Sequence, residues 1–318
     1  MMVIGLDMMG GDFAPREAVN GVKLFLDKHP SPAVHLALIG DQAQVQPLLD
    51  EAGIDASRYR LIHAPEVIGM HEHPTKALKE KIRSSINTGL HLLKEGKIQA
   101  FISAGNTGAV MVGALYSIKS MPGIQRPTIS TLVPREDGST GLLLDVGVNA
   151  DCKPEHLVQF AILGTLYAKN ILKVADPGVG LLNIGEEEGK GNLLSQSAYP
   201  LLRDNNKIRF VGNIEGRDLF SRKADVIVCD GFTGNIVLKM AESVYDIMNR
   251  RQIRDEYFEL FNYEYYGGTP VLGVNEPVII GHGISKGSTF EKMISLAGEV
   301  LETRLLDKFR ENFTPAKD

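Results

Sequence analysis

In DVIVCDGFTGNIVL, residues 225–238, a short apolar run ends on Asp230 and breaks into Gly231-Phe232-Thr233-Gly234-Asn235 before apolar residues resume. A buried strand, a glycine loop and a helix in that order form the repeating unit of an open α/β sheet. The same succession recurs in VIGLDMMGGDFAP (3–15), AFISAGNTGAV (100–110), LLLDVGVNADCKPEHL (142–157) and GLLNIGEEEGKGNLL (180–194). In a parallel sheet such loops gather at the carboxyl ends of the strands, where ligands bind. Their free amides and helix N-termini favour an anion there. The chain therefore reads as an anion-binding α/β protein.

Alternation continues on either side of these loops. Helices are expected over 15–28, 42–53, 75–96, 107–119, 154–170, 190–203, 234–250 and 288–309. Strands are expected over 34–40, 58–63, 207–212 and 224–229, with 128–133 and 141–145 as an antiparallel hairpin around the turn-rich 134–140. No Pro/Ser-rich linker divides the 318 residues, so one continuous domain, 1–318, is expected. The exception in texture is 248–266, where charged and aromatic residues alternate. Ile253, Tyr257, Leu260 and Phe261 would share one face of a helical tip, with a fold partner, a second copy or a membrane surface to cover them.

Hydrophobic residues make up 43% of the chain, ample for a core, and the net charge of −5 is well mixed along it. There is no overall basic field for nucleic acid, so any anion must be caught locally. Two cysteines and the lack of a signal-like or ~20-residue apolar segment point to a reduced, cytoplasmic setting without a membrane span.

The loops narrow the chemistry. Gly105 and Gly108 beside Asn106 and Thr107, and Gly231 and Gly234 beside Thr233 and Asn235, read as two halves of one cradle, with close backbone approach and neutral hydrogen-bonding groups. GEEEGKGN (185–192) resembles a nucleotide-binding loop, but its glycines are one residue too close, and Gly191 stands where a magnesium-holding hydroxyl belongs. It leaves Lys190 as a cation near a helix start, a place that suits a bound negative group. Lys153, in Asp151-Cys152-Lys153-Pro154, is a second. Asp7-Met8-Met9-Gly10-Gly11-Asp12 is not a dinucleotide fingerprint. Cys152 and Cys229 lack a neighbouring histidine, and His71-Glu72-His73 lacks further metal ligands. His282, between Gly281 and Gly283, has room to approach a ligand.

Four motifs, Leu6-Asp7-x-Met9-Gly10-Gly11-Asp12, Ser103-Ala104-Gly105-Asn106-Thr107-Gly108-Ala109, Lys153-Pro154-Glu155-His156-Leu157 and Asp230-Gly231-Phe232-Thr233-Gly234-Asn235, closely resemble the bacterial acyl-carrier-protein:phosphate acyltransferase (PlsX) family of phospholipid synthesis. The likeness runs from residue 2 to about 305. It implies a Rossmann-like, isopropylmalate dehydrogenase-like α/β fold with a largely parallel sheet flanked by helices. It further implies a short helical tip at 240–266 for dimerisation, and transfer of a fatty acyl group from acyl carrier protein to inorganic phosphate without metal or redox cofactor. Phosphate itself would attack the thioester, consistent with the absence of a protein nucleophile.

By position in the family motifs, Lys190 and Asn235 would carry catalysis, Lys190 holding phosphate or the oxyanion and Asn235 donating to the carbonyl oxygen. Asp7, Gly10, Gly11, Asp12, Ser103, Gly105, Asn106, Thr107, Lys153, Gly231, Thr233, Gly234 and His282 would bind or shape the site for phosphate and acyl phosphate. The implied partners are acylated carrier protein, a second copy, and peripherally the membrane and the downstream glycerol-phosphate acyltransferase. The run between Asn235 and Tyr266 is shorter than the amphipathic hairpin of many relatives. Basic Lys79, Lys81 and Arg83 are candidates for carrier docking, and Arg250, Arg251 and Arg254 adjoin Tyr257, Phe258 and Phe261 as surface membrane binding requires. Competing readings are a coenzyme A-dependent phosphate acyltransferase, a decarboxylating dehydrogenase of the same fold, and a noncatalytic membrane-associated scaffold.

Overall fold

The computed structural model describes residues 2–31, 33–262 and 266–313. The chain forms two compact units: Met1–Met121 with Tyr266–Leu306, and Pro122–Tyr265 with Asp307–Asp318. No composition shift marks the crossings; that after Met121 falls in a loop and that after Leu306 within the first turn of the last helix.

The first unit opens with β1 (Met2–Asp7), α1 (Arg16–Lys28), β2 (Val34–Gly40), α2 (Gln42–Glu51) and β3 (Tyr59–His63). It continues with α3 (Pro74–Glu80), α4 (Ser85–Lys94), β4 (Ala100–Ser103) and α5 (Thr107–Ser117). The second unit contributes β5 (Thr128–Pro134), β6 (Thr140–Leu144), α6 (Pro154–Asn170), β7 (Gly178–Leu182), α7 (Leu193–Arg203), β8 (Arg209–Ile214), β9 (Val226–Val228), α8 (Gly231–Arg250) and the short α9 (Glu256–Glu259). The chain then returns to the first unit with β10 (Thr269–Leu272), β11 (Val278–Ile280) and α10 (Gly287–Glu302), and ends in the second with α11 (Leu305–Phe313).

In the first unit the strand order is β3-β2-β1-β4-β11-β10, parallel except for the β10–β11 pair. Ile4, Leu6, Leu36, Leu38 and Ile102 present fully buried side chains from the strands, and Phe25, Phe290, Met293 and Ile294 cover them from α1 and α10. The α1 face that does this, Ala18, Val19, Val22, Phe25 and Leu26, follows helical spacing. In the second unit the order is β5-β6-β9-β7-β8, parallel except for the expected β5–β6 hairpin. Arg135, only 4% exposed, fixes that hairpin by donating to Asp225 Oδ1 at 3.1 Å from two nitrogens.

Three expected helices are interrupted. The stretch 75–96 is two helices, because Ser84 Oγ accepts from Asn87 N–H to start α4, while Asn87 Nδ2 donates to the carbonyls of Leu78 and Lys81 and ends α3. The stretch 288–309 breaks at Arg304, whose φ of 52° is left-handed. The tip helix through 253–261 does not form: Gln252 is left-handed (φ 58°), and Asp255 caps a new turn by accepting from Tyr257 N–H at 2.9 Å. Of the coverings expected for its apolar face, packing onto the fold is the one observed for Phe261, which lies 5.1 Å from Phe220 and 5.4 Å from Tyr257 between centroids. Glu264 and the tyrosines at 263 and 265 lie outside the described residues.

Two starts also shift. α8 begins at Gly231, because Asp230 is already its N-cap, and α7 begins at Leu193 behind the N-cap Asn192. Among the described residues no helix is long and apolar enough to cross a membrane.

Candidate functional site

The parallel pairing of β1 with β4 and of β4 with β11 brings the loops after Asp7, Ser103 and Ile280 to one edge of the first unit. Asp7 is 1% exposed and organises that edge. Its Oδ1 accepts from Met9 N–H at 2.9 Å, its Oδ2 from the Ser103 hydroxyl at 2.7 Å, and Ser85 and Gly10 N–H also reach it. Burial raises its pKa above the ordinary aspartate value, and these hydrogen bonds oppose the rise. Ser103 Oγ in turn accepts from Gly105 N–H at 3.1 Å.

Gly11 has φ 104°, which only glycine adopts without strain, and the next residue, Asp12, donates its N–H to Gly283 O at 2.7 Å. Of the glycines flanking His282, Gly283 thus serves the first loop and Gly281 donates its N–H to Ser103 O, while His282 itself is exposed and its carbonyl accepts from Ser285. Asp12 and Thr107 are exposed on the same edge. Asn106 has a different duty. Its Oδ1 caps α5 through Ala109 N–H, and its Nδ2 donates to the carbonyls of Gly69, Met70 and Glu72, so its amide group holds the 69–72 loop.

The second unit repeats the device. Adjacent parallel strands β6, β9 and β7 end in the loops 145–153, 229–235 and 183–192. Fully buried Asp145 accepts from Asn149 N–H at 2.6 Å and Asn149 Nδ2 at 2.9 Å, and Asn149 O accepts from Gly231 N–H at 2.8 Å. A Cβ on Gly234 would lie 1.9 Å from Asp145 O, so α8 can begin here only with glycine at that position. Asp230 caps α8 by accepting from Thr233 N–H at 2.8 Å and the Thr233 hydroxyl at 2.9 Å. About one turn in, at roughly 3.6 residues per turn, Asn235 Nδ2 donates to Val146 O at 3.1 Å, which aims the amide at the 145–149 loop. One of its two amide protons is left for a ligand.

Asp145 and Asn149 were not among the residues singled out in sequence. The signal for them is the strand-terminal aspartate followed by a glycine, shared with Asp7.

Lys190 is exposed two residues before the α7 N-cap, its stem against Gly185. Two of the three neighbouring acids are engaged elsewhere, Glu186 with Lys223 at 2.5 Å and Glu188 with Arg203 at 2.7 Å, while Glu187 accepts the Lys190 N–H with its carbonyl. Among the described residues no acid pairs with Lys190, so its charge is available to an incoming anion. Lys153 is exposed before α6 and donates its N–H to His156 Nδ1 at 3.1 Å. The structure thus gathers Lys153, Lys190, Gly231, Thr233, Gly234 and Asn235 at one edge of the second unit, and Asp7, Gly10, Gly11, Asp12, Ser103, Gly105, Asn106, Thr107 and His282 at one edge of the first.

The thiols are poor nucleophiles. Burial, then the Asp145 carboxylate, pushes Cys152 up to about 12, and burial with Asp230 and Asp145 holds Cys229 well above the usual thiol range. Glu186, Glu215 and Asp218 have metal-like spacing, but Lys223 bonds to Glu186 and Asp218, and Arg217 to Glu215, so cations of the chain already meet their charge. Lys81, a docking candidate, is tied to Glu72 and to Val67 O, whereas Lys79, Ile82 and Arg83 stay exposed.

The two largely parallel sheets with loop clusters at their strand ends have the α/β fold of the phosphotransacetylases. A phosphotransacetylase from Streptococcus pyogenes superposes with a TM-score of 0.66 at 18% identity, covering 96% of this chain and 94% of that one. A putative 4-hydroxythreonine-4-phosphate dehydrogenase from Salmonella typhimurium gives 0.57 at 13% identity, covering 94% and 99%. Residues 2–259 match the family described as fatty acid synthesis protein. The phosphate acyltransferase of Dictyoglomus thermophilum is 41% identical over 100% of this chain and 99% of its own, and that of Desulforamulus reducens 42% over 98% and 97%. The chain belongs to this phosphate acyltransferase family, as the loop motifs led one to expect.

Proposed function

We propose that the protein transfers a fatty acyl group from the thioester of acyl carrier protein to inorganic phosphate, releasing acyl phosphate. The observation that carries this reading is the unpaired ammonium of Lys190, on a loop beside the one whose helix bears the partly free Asn235 amide. Lys190 holds the phosphate dianion, and an oxygen of that phosphate attacks the thioester carbonyl carbon. Asn235 donates to the carbonyl oxygen as it gains charge, the C–S bond breaks, and the thiolate, of pKa about 8.5, departs and takes up, through solvent, the proton that the phosphate sheds on becoming acyl phosphate. No covalent enzyme intermediate is involved, in keeping with thiols held protonated by burial. The decisive assay supplies acyl carrier protein thioester and phosphate and measures acyl phosphate. Formation supports the reading. Reaction with coenzyme A thioesters alone moves the donor to the coenzyme, and no reaction with either supports a scaffold.

The assembly in this reading is a homodimer. Phe232, Ile236, Met240, Val244 and Ile247 form one stripe on α8, each between 41% and 68% exposed, at the four-residue spacing of a helix face. A stripe about 22 Å long, at ~1.5 Å per residue, suits the same stripe of a second copy. Carrier docking falls to Lys79 and Arg83 around exposed Ile82, since an acidic carrier seeks cations and Lys81 is engaged. Membrane contact rests on Arg250, Arg251 and Arg254 with Ile253, because Phe258 and Phe261 pack within the second unit.

A further inference from the structure

A cavity of about 430 Å³ opens at the carboxyl ends of β7 and β9, wholly within the second unit. Its volume falls in the range of sites for small organic ligands, roughly 300–1,000 Å³. Leu157 of α6, Leu181 and Leu182 of β7 and Cys229 after β9 line it, each no more than 9% exposed. Its lip carries Ile184, 80% exposed, and Leu194 of α7. An isoleucine so exposed at the mouth of an apolar cavity extends the same surface outward.

No cationic side chain lines this space. Asp230 is the acidic residue on the lining, no lysine or arginine joins it there, and both its oxygens already serve Thr233. The nearest catalytic cation along the chain, Lys190, precedes the lining residue Gly191 without lining the cavity itself. Asn235 stands half a turn beyond Thr233, another lining residue. Polar groups for the reacting end therefore adjoin a recess whose buried side chains are apolar and whose more accessible lining, Asn183, Asn192, Thr233 and Asp230, is polar, the arrangement an amphiphile requires.

We infer that this cavity receives the hydrocarbon chain of the acyl group next to its reacting carbonyl, and that its depth sets the preferred chain length. The inference rests on the acyl-transfer reading above for the identity of the polar end. Ser195, on the first turn of α7, faces the cavity with a small side chain, and its N–H bond to Asn192 does not depend on that side chain. It is the position from which the depth can be altered.

The test titrates the full protein calorimetrically with alkyl phosphates of graded chain length, below their micellar concentrations. Wild-type affinity is expected to rise about 4-fold per added methylene until the cavity is filled. Ser195→Phe, which occupies the space, should level this gradient at shorter chains, and Leu194→Ala, which enlarges it, should carry the rise to longer ones. The ratio of turnover with long against short acyl donors should move with each variant in the same direction. Gradients in both variants that match wild type would overturn the inference, as would a wild-type affinity independent of chain length. If Ser195→Phe fails to fold, Leu194→Ala alone decides. Should the variants shift the gradient while no thioester donor yields acyl phosphate, the cavity assignment stands and the acyl-transfer reading falls.

Discussion

Ser103 donates its hydroxyl to Asp7 Oδ2 across 2.7 Å, and neither residue is more than 1% exposed. The bond joins the carboxyl ends of β1 and β4 and anchors the two loops of the first unit to each other. It also sits in a place where a carboxylate is costly, so the proton balance of Asp7 differs between the folded and unfolded chain.

Because burial raises the Asp7 pKa in the fold, the native state holds a proton that the unfolded state releases. Stability from this group is therefore fullest below the ordinary aspartate value of 3.8 and is lost as pH climbs through the raised value. Asp7→Asn removes that dependence. Unfolding free energies measured against pH for both proteins should show their difference moving against wild type as pH rises through this window. A difference flat with pH would contradict the buried-carboxylate account.

Gly234→Ala places a methyl 1.9 Å from the Asp145 carbonyl oxygen and forces α8 away from the loop it caps. Urea unfolding should show a loss of about 2–3 kcal/mol. Gly189→Ala, with nothing within 4 Å, should stay within about 0.5 kcal/mol of wild type.

Lys190→Ala and Asn235→Ala should separate binding from chemistry. The first removes a charge that has no acidic partner among the described residues, so in the acyl-transfer reading the KM for phosphate should rise roughly 10–100-fold with unfolding unchanged. In the same reading the second removes the oxyanion donor, and turnover should fall by roughly 10²–10³. Near-normal turnover in Asn235→Ala would remove it from the mechanism.

On α8, Ile236→Glu combined with Met240→Glu charges two side chains that are 53% and 68% exposed in the single chain. Sedimentation should report a dimer for wild type and a monomer for the double variant. A monomeric wild type, or a variant that still pairs, would place the stripe elsewhere in the assembly or leave it free.

Cys152 should resist alkylation through the mildly alkaline range in which an ordinary thiol, of pKa about 8.5, ionises, since its own value lies near 12. Cys152→Ser should turn over like wild type. A large loss, or a trapped acyl-enzyme, would argue for a covalent route.

Much of this was legible in the chain because each functional loop follows an uninterrupted apolar strand and carries its own punctuation. The motif 230–235 announces both the end of β9 and the start of α8, and the cap made by Asp230 supplies the physical reason. What the sequence hides are decisions made by side chains reaching back or across. Lys79–Arg83 has good local helix character, yet Asn87 claims the carbonyls of Leu78 and Lys81 and stops the helix there. Phe261 looks like a surface anchor until Phe220, remote in sequence, is found against it. Asp145 reads as the end of a strand, and only burial with Asn149 shows that it builds the loop around Asn235.

The route of the chain through the two units has a consequence for synthesis. Strand β11, which pairs with β4, and helix α10, which supplies Phe290, Met293 and Ile294 to the core around Ile4 and Leu6, both follow residue 265. A ribosome that has finished residue 121 has therefore made a half-covered sheet with an open edge. It must translate residues 122–265 before the missing parts emerge, roughly 7–30 s at ~5–20 residues per second. For that interval the nascent first unit keeps the β4 edge unpaired and the apolar face around Ile4 and Leu6 without the cover of α10, while the second lacks only α11.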